Sequence, residues 1–263
     1  MKFYFDLISD LHVESWPGFD WTGQATSPFC VVAGDVARDR TVLVEALTHL
    51  STCYPGGVFY IDGNEEHRDG YEDLNDSYRE LTQQIRSIPN VTYIQDNVII
   101  INGVAIVGTN AWWTYDFDPT IDFDQSVQYV QDYYRISRTA VAGPYAMAHH
   151  DADYLNNSIR KLQKHSEVRA IVVVTHTVPA AWIIEHDPEL TGTWRFNGMG
   201  NSKIASSLDE DTEGKIRMWC FGHYHKSVDQ VRGGIQYLCN PRGRGNTPWS
   251  QGVYYPRRIE ITC

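Results

Sequence analysis

Five short apolar runs constrain this chain more than anything else in it: KFYFDLIS (2–9), FCVVA (29–33), GVFYI (57–61), AIVVVT (170–175) and RMWCF (217–221). They are rich in Val, Ile and aromatic residues and do not alternate apolar with polar, which is the pattern of strands buried on both faces. NVIIING, VAIVGT and IQYLC read the same way. Between the runs, about 39–52, 71–88, 124–138, 151–166 and 200–208 carry apolar residues at intervals of three and four, as in Val42, Leu43, Ala46, Leu47 and Leu50, and are predicted helices. Strands alternating with helices predict an α/β core. The closely spaced runs of 227–261, broken by Gly-Gly and Pro-Arg-Gly, predict antiparallel strands. The expected architecture is a two-sheet mixed β-sandwich flanked by helices, in a single domain over 1–263. Segment 111–150, dense in aromatics and acids, is expected to be an insertion that caps or lids the site.

Each of the five runs leads into a polar donor: Asp10 and His12, Asp35, Asn64, His176, then His223 and His225. In open α/β sheets the strand C-terminal ends converge on one crevice, where ligands bind. Taken singly, a DxH pair, a GD or GN turn, or a histidine after a strand is more often structural. Their joint occurrence, each behind an apolar strand, points to metal. Seven donors are too many for one tetrahedral zinc and suit two metals sharing a bridge. A carboxylate such as Asp35 can bridge, one oxygen to each cation, about 3.5–4 Å apart. Mixed nitrogen and oxygen ligation suits Mn, Fe, Zn, Co or Ni, with Mn expected in vitro. His149 and His150 are expected to approach the cleft from the lid.

Five scattered cysteines, with no CxxC pair, read as buried thiols in a reducing cytoplasm. The start, MKFYFDLISDLH, carries no cleavage pattern, and no apolar run approaches a membrane span, so a cytoplasmic chain is expected. The net charge of −11 disfavours long nucleic acid and leaves a small phosphorylated or other anionic substrate open.

In order and type, these motifs, from Asp10 to His225, resemble the blocks of the calcineurin-like metallophosphoesterases. The resemblance implies a dimetal site at the strand C-terminal ends. It implies that Asp10, His12 and His225 bind one metal, that Asp35 bridges, and that Asn64, His176 and His223 bind the other. It implies an Asn64 amide that bonds phosphate, and a metal-bridging hydroxide that attacks phosphorus in line. GTNAWWTYDF (108–117), DYYRI (132–136) and CNPRG (239–243) are further similar to the stand-alone bacterial and phage-type subgroup. Arg135, Arg242 and Arg244 are candidate phosphate contacts.

One position departs from the family pattern. The block usually reads Gly-Asn-His and then an acid, and that histidine can protonate the leaving oxygen. Here the stretch is GNEEH: Glu65 stands in the histidine's place and His67 comes two residues late. Either Glu65 turns away and His67 serves as the acid, or Glu65 stays and orients a metal-bound water, or the acid role is absent. The expectation is a hydrolase of phosphate mono- or diesters with a restricted range, using Asn64, Glu65 and His67 in catalysis. Alternatives are a small cyclic-nucleotide diesterase or nuclease on the same site, and a catalytically impaired metal-binding scaffold.

Overall fold

The computed structural model describes residues 2–68, 74–134, 143–245, 247 and 253–262. The apolar runs form two sheets. In the first, β1 (Lys2–Ile8), β2 (Phe29–Ala33), β3 (Gly57–Ile61) and the short β4 (Val91–Tyr93) run parallel. The second contains β5 (Asn97–Ile101), β6 (Val104–Gly108), β7 (Ala170–Val174), β8 (Ile216–Phe221), β9 (Val228–Arg232) and β10 (Ile235–Cys239), in the order β5-β6-β7-β8-β10-β9. Its centre is parallel and its edges, β5 and β9, are antiparallel. β11 (Arg257–Thr262) returns to the first sheet and lies antiparallel to β1.

Burial on both faces explains the unbroken apolar runs. In β7, Ile171 and Val173 pack with Leu155, Ile159 and Leu162 of α4 (Gly143–Lys164), while Val172 and Val174 meet Phe5, Leu7 and Val31 of the other sheet. In β2, Cys30 and Val32 pack on Leu43 and Leu47 of α1 (Arg40–Cys53), and Val31 and Ala33 face the second sheet. The result is four layers: helix, sheet, sheet, helix. α1 begins at an Asp39 cap whose carboxylate accepts from the Thr41 and Val42 amides. α2 (Leu74–Ile85) covers the first sheet through Leu81 and Ile85.

The differences from the sequence reading have local causes. In the tail, β9 and β10 form an antiparallel hairpin and β11 crosses to the other sheet, antiparallel to β1, but β10 pairs parallel with β8. β4 spans three half-buried residues, too few to show a period. α4 starts eight residues before 151, because Pro144 stands in the first turn, where its missing N–H is tolerated. Ser202–Leu208 is a 3-10 helix. Residues 71–73 and 135–138 of the predicted helices lie outside the described residues.

Segment 111–150 contributes α3 (Phe123–Tyr134) and the start of α4. Trp112, Trp113 and Tyr115 are fully buried in an aromatic cluster with Val127, Val130 and Tyr134 of α3. α3 packs on the short α5 (Trp194–Asn197). No helix among the described residues is long and apolar enough to cross a membrane.

Candidate metal centre and active-site pocket

Because β1, β2 and β3 are parallel, the loops after Ile8, Ala33 and Ile61 leave the sheet on one edge. They are zipped together: the Asp10 amide donates to the Gly34 carbonyl (2.9 Å) and the His12 amide to the Asp35 carbonyl (3.1 Å). On the second sheet the Gly222 amide donates to the His176 carbonyl (2.9 Å). Across the seam, the His223 amide donates to Asp10 Oδ1 (2.8 Å). Five of the seven predicted ligands sit in the left-handed backbone region: Asp10 (φ 49°), His12 (41°), Asp35 (54°), His223 (67°) and His225 (61°). For a residue other than glycine this costs on the order of 1–3 kcal/mol each, and such strain concentrates at functional sites.

These turns gather the donors into two groups that share Asp35. Asp10, His12, Asp35 and His225 form one, and Asp35, His176 and His223 form the other, with donor atoms in each group within 4.8 Å of one another. His12 Nε2 lies 3.0 Å from His225 Nε2, and His225 Nε2 lies 3.4 Å from Asp10 Oδ1. His176 Nε2 lies 3.3 Å from Asp35 Oδ1 and 3.1 Å from Asn64 Oδ1. The His176 Nδ1–H donates to the Ala33 carbonyl (2.9 Å) and the His223 Nε2–H to the Gly198 carbonyl (3.0 Å), so each ring turns its other nitrogen inward.

The donor chemistry fits divalent cations. Asp10 Oδ2 is buried without a hydrogen-bond partner. Burial would raise the pKa of Asp10 and Asp35, but the facing histidines outweigh it and hold both below the usual carboxylate value. Burial, helped by the neighbouring imidazoles, pushes His12 and His223 down to about 3, so both stay neutral ligands. At His176 burial also works downward, but Asp35 and Asp10 prevail and raise it to about 10. The buried carboxylates thus draw positive charge onto His176, a demand that cations would also meet.

Two glycines are required by close approach. A Cβ at Gly63 would stand 2.2 Å from Asp35 Oδ1, and one at Gly34 would stand 2.3 Å from His176 Nδ1. Glu66 staples the same loops: its carboxylate accepts from the Gly63 (2.8 Å), Val36 (2.6 Å) and Asp35 (3.2 Å) amides. Burial and the adjacent Asp35 raise its pKa to about 8.

A cavity of about 210 Å³ opens over the donors, with Asp35, Asn64, His223 and His225 on its floor and Glu65, Tyr133, Tyr134, Arg195, Lys226 and Arg244 among its walls. A larger hollow of about 810 Å³ lies apart, between α2, β4 and α4, and contains none of the seven ligands. Glu65 remains at the smaller cavity, 2% exposed, and its Oε1 accepts from Arg244 Nη2 (2.5 Å) and Arg68 Nη1 (2.9 Å).

His67 is not at the cavity, contrary to a role as acid. It is buried with both ring nitrogens engaged, Nε2 with Asp62 (2.9 Å) and Nδ1 with Ser77 (2.8 Å). Burial lowers its pKa despite Asp62. Arg242 does not line the cavity either; its guanidinium lies over the Trp16 ring, 4.3 Å from the centroid. Arg135 lies outside the described residues. His149 packs against Tyr145, and His150 faces Asp96 and Asp151, so neither lines the cavity. The sequence reading missed Arg68. Tyr134 stacks beside Trp113 and brings its hydroxyl 3.2 Å from His223 Nε2.

No protein-family model matches the chain, and no curated protein does. Solved structures do. A phosphopantetheinyl hydrolase from Mycobacterium tuberculosis aligns with TM-score 0.71 and 18% identity, over 97% of this chain and 95% of that one. A dimetal phosphatase from Danio rerio aligns with TM-score 0.58 and 11% identity, over 97% and 91%. A putative 5'-nucleotidase from Staphylococcus aureus aligns with TM-score 0.53 and 14% identity, over all of this chain and 51% of that one. The likeness is one of fold: the chain shares the two-sheet α/β fold of these three structures, with candidate metal-binding residues at the sheet ends.

Proposed function

We propose that the chain is a dinuclear metal-dependent phosphoesterase that hydrolyses phosphate mono- or diesters of small phosphorylated substrates. One observation carries this reading: two groups of donors, all but His225 buried, share Asp35 on the floor of a cavity whose walls set Arg195, Lys226 and Arg244 beside Glu65, Asp187 and Glu189. The neighbouring structures, described as a phosphatase, a nucleotidase and a phosphopantetheinyl hydrolase, support the reaction class.

Bound divalent cations would lower the pKa of a water and neutralise phosphate charge. Asp10, His12, Asp35 and His225 would hold one, and Asp35, Asn64, His176 and His223 the other. The remaining work belongs to the chain. Asn64 turns Oδ1 toward His176, and its Nδ2 donates one hydrogen to Glu65 Oε1 (3.4 Å), which leaves the other for a phosphate oxygen. Glu66 keeps the Asp35 and Asn64 loops in register. Glu65 acts as an acceptor for two arginines, and His67 is held in the core. No histidine outside the ligand set lines the cavity among the described residues, which favours groups that depart without a proton.

A second reading, a small cyclic-nucleotide diesterase, is favoured by one feature. Tyr133 and Tyr129 are about half exposed and pack on Trp194 near the cavity mouth, where a base could stack. Protein loaded with Mn, assayed on an aryl phosphate, a bis-aryl phosphate, cyclic nucleotides and nucleoside monophosphates, separates the two. Hydrolysis lost to chelator and restored by Mn supports the proposal. Stoichiometric metal with no turnover of any ester would instead mark a scaffold.

A further inference from the structure

Glu65 stands where the resemblance leads one to expect a proton donor, and its surroundings show what replaces that donor. One carboxylate oxygen is shared by the Arg68 and Arg244 guanidiniums, so these three residues together carry one net positive charge. Arg68 is the more enclosed of the two, with a side chain 14% exposed, and it also donates to the Tyr133 carbonyl (3.4 Å). Arg244 is one-third exposed and faces the cavity. Burial works against its charge, but Glu65 more than offsets this and holds its pKa above the ordinary value.

An arginine donates hydrogen bonds and keeps its proton at any working pH. It therefore stabilises a departing oxyanion and cannot convert an alkoxide to an alcohol. We propose that Arg244, positioned by Glu65, binds the leaving group, and that the preferred substrates are phosphoanhydrides, whose leaving group is itself a phosphate. This rests on the phosphoesterase reading above. Attack from the metal-binding floor places the departing oxygen on the wall side, as in-line displacement requires. A water oxygen bonds to phosphorus, and the anhydride P–O bond breaks with its electron pair going to the bridging oxygen. The surplus proton of water goes to solvent. The departing phosphate already carries charge that a guanidinium matches, and Arg195 lines the same cavity, whereas Lys226 there is paired with Asp187 and Glu189.

The test compares a nucleoside diphosphate with its monophosphate and with p-nitrophenyl phosphate, all with Mn-loaded protein. Wild type is expected to cleave the diphosphate at least about 10²-fold faster than the monophosphate. Arg244→Gln should lose on the order of 10²-fold in kcat on the diphosphate, with less change in KM. Its fold is checked by thermal melting, and Arg68 still pairs Glu65 in that variant. Added guanidinium should restore turnover to Arg244→Ala, which a merely structural role would not allow. Glu65→Gln should reduce the diphosphate preference without altering metal content. Equal rates on diphosphate and monophosphate, or an unchanged preference in Arg244→Gln, would overturn this inference while p-nitrophenyl phosphate turnover upholds the reading beneath it. No hydrolysis of any of the three would overturn both.

Discussion

The Asp10–His12–Asp35–His225 group and the Asp96–His150–Asp151 group each bring carboxylate and imidazole donors within 4.8 Å of one another. They settle their charge in opposite ways. In the second group, Asp96 Oδ1 accepts from Gln95 (3.2 Å) and Thr109 (3.1 Å), and Asp151 Oδ2 accepts from the Trp112 amide (3.1 Å). Burial and the adjacent Asp151 raise Asp96 to about 6, and burial raises Asp151 as well. In the first group Asp10 Oδ2 has no partner and both aspartates are held low. Proximity alone does not define a metal site. The first group keeps its carboxylates ionised and leaves Asp10 Oδ2 without a hydrogen bond, as a cation site would require, whereas the other group settles its charge with hydrogen bonds and protons.

The strongest way to break this contrast is Asp35→Asn. Because Asp35 belongs to both donor groups, the variant should lose metal at both positions and on the order of 10³-fold in activity. Metal analysis of the purified protein beside Mn-dependent turnover checks it, and retention of two metal equivalents would remove the basis for a shared bridge. Next is Gly63→Ala, whose Cβ would collide with Asp35 and His176. It should cost roughly 2–3 kcal/mol in a denaturant melt and weaken Mn binding. His67→Ala separates structure from catalysis. Removing the imidazole leaves buried Asp62 with Tyr78, Tyr93 and Asn110 as donors, and should lower stability by about 1–3 kcal/mol. Turnover of the folded protein should stay within about 3-fold, against the 10²–10⁴-fold expected of a lost general acid.

The smallest effect sharpens the comparison from the other side. Asp96 has a folded-state pKa above its unfolded value, so the fold favours its protonated form, and stability is lost as pH rises from about 4 through about 6. Asp96→Asn keeps a residue tolerant of the left-handed backbone there (φ 49°). Its Tm should rise by about 2–4 °C at pH 7.5, change little at pH 4, and leave metal content intact. A loss of metal would show that the two groups are not distinct in kind.

The donors of the floor were legible in the sequence because they follow five strands, Asp10 with His12 and His223 with His225 sharing one each, so an apolar run predicts both the strand and where its donors emerge. The walls were not. Arg244 meets Glu65 across 179 residues, and Arg242, two positions earlier, diverges from it around Gly243 at φ 78°. His67 lies near the site in sequence, but Glu65–His67 is a 3-10 turn, about 120° per residue, which points Glu65 and His67 to different sides. The left-handed ligands left no trace in the sequence, since aspartate and histidine carry no glycine signature. His150 was drawn to the wrong cavity because α4 begins earlier than its apolar period suggested.

The site straddles a seam. Asp10, His12, Asp35 and Asn64 follow strands of one sheet, and His176, His223 and His225 follow strands of the other. Each donor group takes members from both, so the ligand spacing works as a calliper across the sandwich, opened or closed by the apolar layer beneath it. Phe5, Val31, Val172 and Cys220 touch no ligand's task directly, yet they set the gap between the sheets. Volume changes there should be read out first as altered metal affinity, in a part of the molecule that chemistry alone would call inert.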